Sequence, residues 1–563
     1  MQNETETTVK SEKSGPDVKY TSIFLRGWYP YFWVGLIALF IYAKTIVFNF
    51  TYCDDSIIIL DNYWFLARLE NIFKCFLKNV FLIGDDVFYR PLLIVSFILN
   101  AQAGGMSPFV YHLTNVLIHS CCSVLVCALL IKMGYGRLKA LMLSLLFAVH
   151  PALSQAVAWI PGRNDSLLAL FALPAFLFLM NYAEHGRLRD LAGHAVFLCL
   201  AFFTKETAYV IIPIGAVYLW IAGRHKAMRT GFAVLAAAWA VPLGLYTAMK
   251  HLSGIVLPAL SLPVLEAFFR ELLPGLLIYF GKAVFPFNLS VMPAIRDTTL
   301  IYGLLALVPL AAAVLLTPKA RLKYSLFGLA WFVLFLAPTF MFTQGMQFEH
   351  RLYLPIIGLL VAAAEVDWRR ACPDKRLMTI ASAVIITVFS VVSFVHSDIF
   401  IGRIIFWESA VKSSPRSAIA HCFLGMQYQE SGKYDLSEKH LKMAAELDPA
   451  YWAARSHLAV LFMRKGDYAK AEQELIAADR LRPGYHGIYF NRGMLYGKQG
   501  RYEEAVRQWE RAIELDPDYL LAYQRLALYY QMTGDITNRS RYAALMKEKF
   551  GYDIGISTAV VKR

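Results

Sequence analysis

From residue 29 to residue 396 the chain alternates apolar runs with short polar breaks, and beyond about residue 397 that alternation stops. A helix crossing the ~30 Å hydrocarbon core of a bilayer needs about 20 mostly apolar residues. On that template the pattern predicts eleven spans, near 29–48, 108–131, 140–158, 166–183, 191–203, 207–222, 231–248, 300–317, 324–341, 352–366 and 377–396. Lys205-Glu206 interrupts the apolar stretch 191–220 and is expected at the turn of a helical hairpin. Residues 91–103 are too few to cross and are expected to lie along the membrane surface. Residues 272–289 carry Lys282, Pro274 and Pro286, so that stretch is expected to be re-entrant or interfacial.

Past residue 415 a different period takes over. Pro415, Pro449, Pro483 and Pro517 recur every 34 residues, as do Gly432, Gly466, Gly500 and Gly534. Tyr434, Tyr468 and Tyr502 keep the same register, and so do Ala444, Ala478 and Ala512. Small residues at Gly425, Ala459, Gly493 and Ala527 allow two helices of a unit to approach closely. This spacing resembles the tetratricopeptide repeat, with three complete units and a divergent fourth over 416–550. Such repeats stack into a superhelix with a concave face suited to a peptide or protein partner, or serve as a structural arm.

Composition sharpens the division. With 58% hydrophobic and 17% charged residues among 563, against about 25% charged in soluble domains, the chain is expected to be an all-α multi-pass membrane protein followed by an α-solenoid. The net charge of +14 does not point to nucleic acid, because the basic residues sit between apolar runs. With the N-terminus inside, nineteen Lys and Arg fall in inner segments and three, Arg163, Lys205 and Arg351, in short outer turns. That bias sets the orientation and sends 49–107, 249–299 and the repeat array outward. Cys121, Cys122, Cys127 and Cys199 fall in apolar spans as small hydrophobes, and no cysteine has zinc-ligand spacing. Cys53 and Cys75 share one outer loop and are candidates for a disulfide. The polar first 27 residues do not resemble a cleaved signal peptide. The expected organisation is an inner tail at 1–28, a membrane module at 29–397, a linker at 398–415, the array at 416–550 and a tail at 551–563.

Ionisable residues collect at the outer boundary of the spans. Asp54-Asp55 follows the first span, Asp85-Asp86 and Tyr89-Arg90-Pro91 open the short helix, and His150-Pro151 and Arg163-Asn164-Asp165 close one hairpin. Lys205-Glu206 closes another, and Glu349-His350-Arg351 begins a later span. Charge at membrane depth is costly unless it is paired or used, which makes these residues functional candidates. The competing roles are structural: Asp85-Asp86 as a helix cap, His112, His119 and His150 as satisfied buried histidines, Arg163 and Arg351 as headgroup anchors, and Glu206 as the neutralising partner of Lys205.

The carboxylate pair after the first span and the Tyr-Arg-Pro-Leu helix are followed by Pro-Phe-x-Tyr-His-Leu-x-Asn-x-x-x-His at 108–119 and Phe-Ala-Val-His-Pro at 147–151. Ala-Trp-Ile-x-Gly-Arg-x-Asp at 158–165, Lys-Glu-Thr at 205–207 and Arg-Leu-Tyr-Leu-Pro at 351–355 complete the set. Together these motifs resemble the transmembrane and tetratricopeptide-repeat O-mannosyltransferases, within the GT-C class of integral-membrane glycosyltransferases. The likeness is weakest over 249–299, and a bacterial member is expected.

The resemblance implies transfer of a sugar, a hexose such as mannose, from a polyprenyl-phosphate carrier to Ser or Thr hydroxyls on the outer side of a bacterial inner membrane. A hydroxyl must lose its proton as it attacks, so a positioned carboxylate is needed. Asp54 is expected to be that base and Asp55 to hold the loop or a sugar hydroxyl. The departing lipid phosphate needs fixed cations, for which Arg90, Lys205, His350, Arg351 and Arg163 are candidates, with Lys205 and Arg351 foremost. Asp165, Glu206, His150 and Tyr89 are expected in support. The acidic groups are of a kind that hold a divalent cation, yet no spacing demands a metal and no cofactor is called for. The expected partners are membrane lipid, the lipid-linked sugar and an acceptor protein in the repeat groove. Transfer to a lipid or envelope glycan, and a non-enzymatic scaffold, are the competing readings.

Overall fold

The computed structural model describes residues 25–82, 87–223, 231–255, 261–341 and 346–550. Among these residues the chain is helical without strands, apart from one isolated bridge between Ala294 and Met346.

Each expected span is a helix or a pair of helices. Tyr29–Val47, Pro108–Lys132, Ile160–His185, Phe232–Leu252, Leu322–Met341 and Arg376–Phe400 are long and apolar enough to cross a bilayer alone. Arg137–Ala148 and Pro151–Ala158 pass the same test together, bent by 51°. The break falls at His150-Pro151, where proline removes a backbone donor. The expected span 191–203 is the 15-residue helix Leu188–Phe202. Glu206–Ile221, Ile301–Leu316 and Pro355–Ala364, at 207–222, 300–317 and 352–366, are apolar helices of 10–17 residues. Eleven full-length crossings are therefore not seen among the described residues.

Glycine sets the closest contacts. A Cβ on Gly328 would stand 2.3 Å from the Gly358 carbonyl oxygen, and one on Gly358 would stand 2.3 Å from that of Gly328. Leu322–Leu336 and Pro355–Ala364 thus touch backbone to backbone.

The helix ends sort into two groups. At one end Arg137 donates to the Leu25 carbonyl, Lys139 to the Ala364 carbonyl and Lys323 to the Ile221 carbonyl. Tyr135 and Arg321 share Glu365 there. These are the segments expected inside; Arg224, Lys226 and Arg229 lie outside the described residues. At the opposite end gather Asp54-Asp55, Arg90, the 150–165 corner, the Lys205 turn and Glu349–Leu352.

Two stretches expected at the membrane surface are packed against protein on one side. Helix Pro91–Gly104 buries Leu93, Ile94 and Phe97 against Tyr111 and the loop 58–82, and leaves Leu99 exposed. Helix Leu262–Val284 takes in residues 272–284 of the stretch 272–289 expected to be re-entrant or interfacial. Its Lys282 pairs with Glu349 at 2.7 Å and its Gly281 abuts the backbone of Gly303 near the start of Ile301–Leu316. Those contacts hold its C-terminal half against the outer ends of its neighbours.

Residues 398–415 are not a loose linker but a 3₁₀ turn followed by helix Arg403–Ser413. Trp407, fully buried, stacks on Phe423 of the array with ring centroids 4.5 Å apart. It shares a cluster with Phe48, Cys53, Trp159, Val291 and Met292 of the membrane module. Ser414 donates to the Met292 carbonyl, Ser413 and Ser290 hydroxyls meet at 2.6 Å, and Lys44 pairs with Asp398. The array is therefore packed onto the same end of the bundle that carries Asp54.

Four helix pairs follow, beginning with Ala418–Glu430 and Tyr434–Leu447 and ending with Leu520–Thr533 and Ile536–Phe550. The glycines of the 34-residue register occupy left-handed backbone, φ +74° to +83°, a region open to glycine at little cost.

Candidate functional site

The loop after the first span is built around Asp55. Its buried carboxylate accepts from the Thr51 N–H at 2.6 Å, the Thr51 hydroxyl at 3.1 Å and the Cys53 N–H at 2.8 Å. Burial raises its pKa against the pull of those donors. Asp55 thus folds the turn, and its neighbour Asp54 is left half-buried beside it. Tyr52, just before, sits at φ +56°, a left-handed conformation uncommon for a side chain of its size.

The cations converge through a second set of contacts. The Leu92 N–H donates to the Phe203 carbonyl at 3.0 Å, which ties the start of Pro91–Gly104 to the Lys205 turn. Lys205 Nζ lies 2.6 and 2.7 Å from the two oxygens of Asp165 and donates to Asn164 Oδ1 at 3.1 Å. Arg90 pairs with Glu206 at 2.9 Å and stands over the Phe88 ring. Arg351 donates to the Met346 carbonyl and covers Phe348. Asp165, Lys205, Thr207, Arg351 and Pro355 line one small cleft. Burial pulls the Lys205 ammonium down to about 8, with Asp165 opposing.

His350 links the two halves. Its Nδ1 and its backbone N–H both meet Gln155 Oε1 at 3.1 Å, and its Nε2 is 3.7 Å from Asp165. Burial, together with Lys205 and Arg351, holds its pKa well below the usual value, so the ring is neutral and its proton sits on Nδ1. The Trp159 ring lies 5.5 Å from that of His350, and its indole N–H donates to Thr51 Oγ1. From Asp55 to Lys205 the path is Thr51, Trp159, His350 and Asp165.

Several roles expected from the motifs shift with this geometry. Glu206 partners Arg90, not Lys205. Arg163 is not among the site cations: fully buried, it donates to Asn115 Oδ1, the Ser96 hydroxyl and the Tyr111 carbonyl and stacks on Phe97. It clamps the start of the helix that carries Asp165. His150 spends Nδ1 on the Ala152 N–H and Nε2–H on the Ala283 carbonyl, and Tyr89 donates to the Phe76 carbonyl. Both side chains are engaged by backbone partners. Cys53 and Cys75 are free thiols. Asp85 and Asp86 lie outside the described residues, and among those described no three His, Cys, Asp or Glu side chains gather as a metal set. Sequence reasoning missed Gln155 and Asn164, neutral residues that carry no charge signal.

A family model described as dolichyl-phosphate-mannose-protein mannosyltransferase matches residues 101–246, and tetratricopeptide-repeat models match 428–488 and 487–519. Protein O-mannosyl-transferase tmtc2 of Xenopus laevis is 35% identical over 197 residues, covering 32% of this chain and 23% of that protein. Both modules are thus matched. Over these stretches the chain is similar to the TMTC protein O-mannosyl-transferases. Protein O-mannosyl-transferase F38B6.6 of Caenorhabditis elegans is 26% identical over 388 residues, 64% of this chain and 54% of that protein. The chain thus spans between about a fifth and a half of the length of these two curated relatives. A solved structure of MamA is 24% identical to this chain over 26% of its length and 85% of MamA's, with a TM-score of 0.23. The mannosyltransferase match takes in Asp165, Lys205 and Glu206 but neither Asp54 nor Arg351.

Proposed function

We propose that this protein is a membrane glycosyltransferase that moves a hexose, with mannose the first candidate, from a polyprenyl phosphate to Ser or Thr hydroxyls of proteins. One observation carries the reading: Lys205, Arg90 and Arg351 collect at the same bundle end as the Asp54 loop, each of them beside a neutralising or aromatic partner. A scaffold has no use for such a cluster.

In this reading Asp54 takes the acceptor's proton as the hydroxyl oxygen attacks the anomeric carbon. The bond from that carbon to the phosphate oxygen breaks, and the configuration inverts. The phosphate's growing negative charge falls to Lys205 and Arg351, with Arg90 behind them. Asp165 holds Lys205 in place until the phosphate arrives, and His350, being neutral, orients without adding charge. The positive-inside bias supports a site and an array outside the cytoplasm, and the bacterial inner membrane is the compartment we assign. The names of the relatives, protein O-mannosyl-transferases, support the acceptor being protein.

The test is reconstitution of the full chain in lipid nanodiscs with polyprenyl-phosphate mannose or glucose and a Thr-containing peptide. Mass spectrometry is expected to show one added hexose on the Thr. Hydrolysis of donor without peptide modification, or modification of lipid alone, contradicts the reading.

A further inference from the structure

The concave face of the repeat array does not stand apart from the membrane module. A cavity of about 930 Å³ is lined on one wall by Tyr52 and Ser56 of the Asp54 loop and by Arg403, and on the other by array residues reaching from Phe423 to Leu521. That is the upper end of the ~300–1,000 Å³ range of ligand clefts. The same loop touches the far end of the array, where the Trp64 and Phe550 rings lie 5.4 Å apart. The loop thus roofs the groove, contacting the last repeat helix while Trp407 fixes the first.

The array wall is built to grip a polypeptide backbone. Gln427 and Gln429 line the cavity, each 4% exposed, and the Oε1 of each has no partner among the described residues. A buried acceptor is rarely left so in a folded protein; an N–H from a bound chain satisfies it. Trp452, Tyr485 and Tyr519 supply flat apolar surface along the same wall. Of the charged groups on the cavity, Glu430 and Arg464 neutralise each other at 2.6 Å. Burial lowers His457 to about 4, so it is uncharged. Arg403 stands over the ring of Tyr52 at 5.2 Å and, among the charged groups lining the cavity, has no ion-pair partner among the described residues.

We propose that the Asp54 loop and the concave array face form one channel for an extended, unfolded acceptor segment, with Arg403 selecting a carboxylate beside the Ser or Thr presented to Asp54. This rests on the glycosyltransferase reading for its last step. A roofed groove admits a chain whose backbone N–H groups are free, and excludes a helix or a folded domain whose N–H groups are already used.

The test uses the full chain in nanodiscs and three probes. One is a fluorescent twelve-residue peptide with a central Thr flanked by Asp, the second has Lys in place of Asp, and the third holds the Asp-flanked sequence inside a helix of a stable bundle. Fluorescence anisotropy is expected to give at least tenfold tighter binding of the Asp-flanked peptide than of the Lys-flanked one, and none of the folded probe. Arg403→Glu is expected to reverse the order. Asn491→Trp, which fills the groove, and Leu521→Glu, on its exposed rim, are each expected to weaken the Asp-flanked peptide tenfold, with circular dichroism unchanged. Equal binding of the two peptides, binding of the folded probe, or indifference to both groove variants overturns the proposal. Selective binding in Asp54→Asn protein supports the channel whether or not transfer occurs. Transfer that persists with groove-insensitive binding overturns the channel and leaves the enzyme reading standing.

Discussion

Lys205 and Asp165 give the sharpest energetic handle, because each is buried and each is the other's principal countercharge, at 2.6 Å. Lys205→Met leaves the Asp165 carboxylate without an ion pair: His350, 3.7 Å away, is neutral, and Arg90 acts on it only at longer range. Removing one partner of a buried pair costs about 3–5 kcal/mol. Asp165→Asn strands the ammonium at a comparable cost. Replacing both, Lys205→Met with Asp165→Leu, leaves two apolar groups, and such swaps are often neutral or stabilising. The two single variants are therefore expected to lose stability in chemical denaturation, and the double variant to recover most of it. Donor affinity separates the singles: Lys205→Met loses a charge-assisted contact worth about 1.5–3 kcal/mol, roughly 10- to 150-fold, whereas Asp165→Asn releases the cation to the phosphate and keeps binding. Filter binding of radiolabelled polyprenyl-phosphate hexose measures this. A double variant as unstable as the singles, or Lys205→Met protein with undiminished donor affinity, refutes the reasoning.

Further outcomes follow from other parts of the structure. Burial lowers Lys205 to about 8 from 10.5, so its positive charge is lost above pH 8. Donor affinity should then fall through that pH, and Lys205→Arg should hold it level. The stability sign is opposite: between pH 8 and 10.5 the unfolded chain binds the extra proton, so this group's contribution to stability rises with pH. Arg163→Lys cannot serve three separated acceptors, and is expected to cost about 2–3 kcal/mol in denaturation while leaving donor affinity of the folded fraction unchanged. Trp407→Ala empties the joint between the modules at about 3–5 kcal/mol, and limited proteolysis should then release the array from the bundle.

Much of this architecture is legible before folding is considered. The 34-residue register of Pro and Gly marks the repeat boundaries because glycine's left-handed backbone is needed once per unit, and the structure puts Gly432, Gly466, Gly500 and Gly534 there. The polar breaks mark the bundle ends because lipid tolerates few unpaired charges. What the order of residues hides is direction. Lys205 is extended, φ −161° and ψ 145°, while Glu206 begins the 3₁₀ turn Glu206–Val210, so the backbone changes direction between the two side chains. Lys205 and Glu206 therefore take different partners, although they are neighbours in sequence. Arg163 follows Gly162, where a Cβ would stand 2.4 Å from the Gln155 carbonyl oxygen. That tight corner turns the guanidinium inward, which its motif alone does not disclose. The stretch 398–415 is expected to be a linker, yet Phe406 and Trp407 find their partners across two modules, at sequence distances no local pattern reveals.

The central claim is that a carboxylate in the loop roofing the groove removes the acceptor's proton while a separate cation cluster holds the donor. Single-turnover transfer by Asp54→Asn protein, preloaded with radiolabelled donor and mixed with Thr peptide, tests it most directly. The account predicts a rate lower by about 10²–10⁴-fold with donor affinity within about threefold of the parent. Transfer at the parent rate with Asn at position 54 would contradict it.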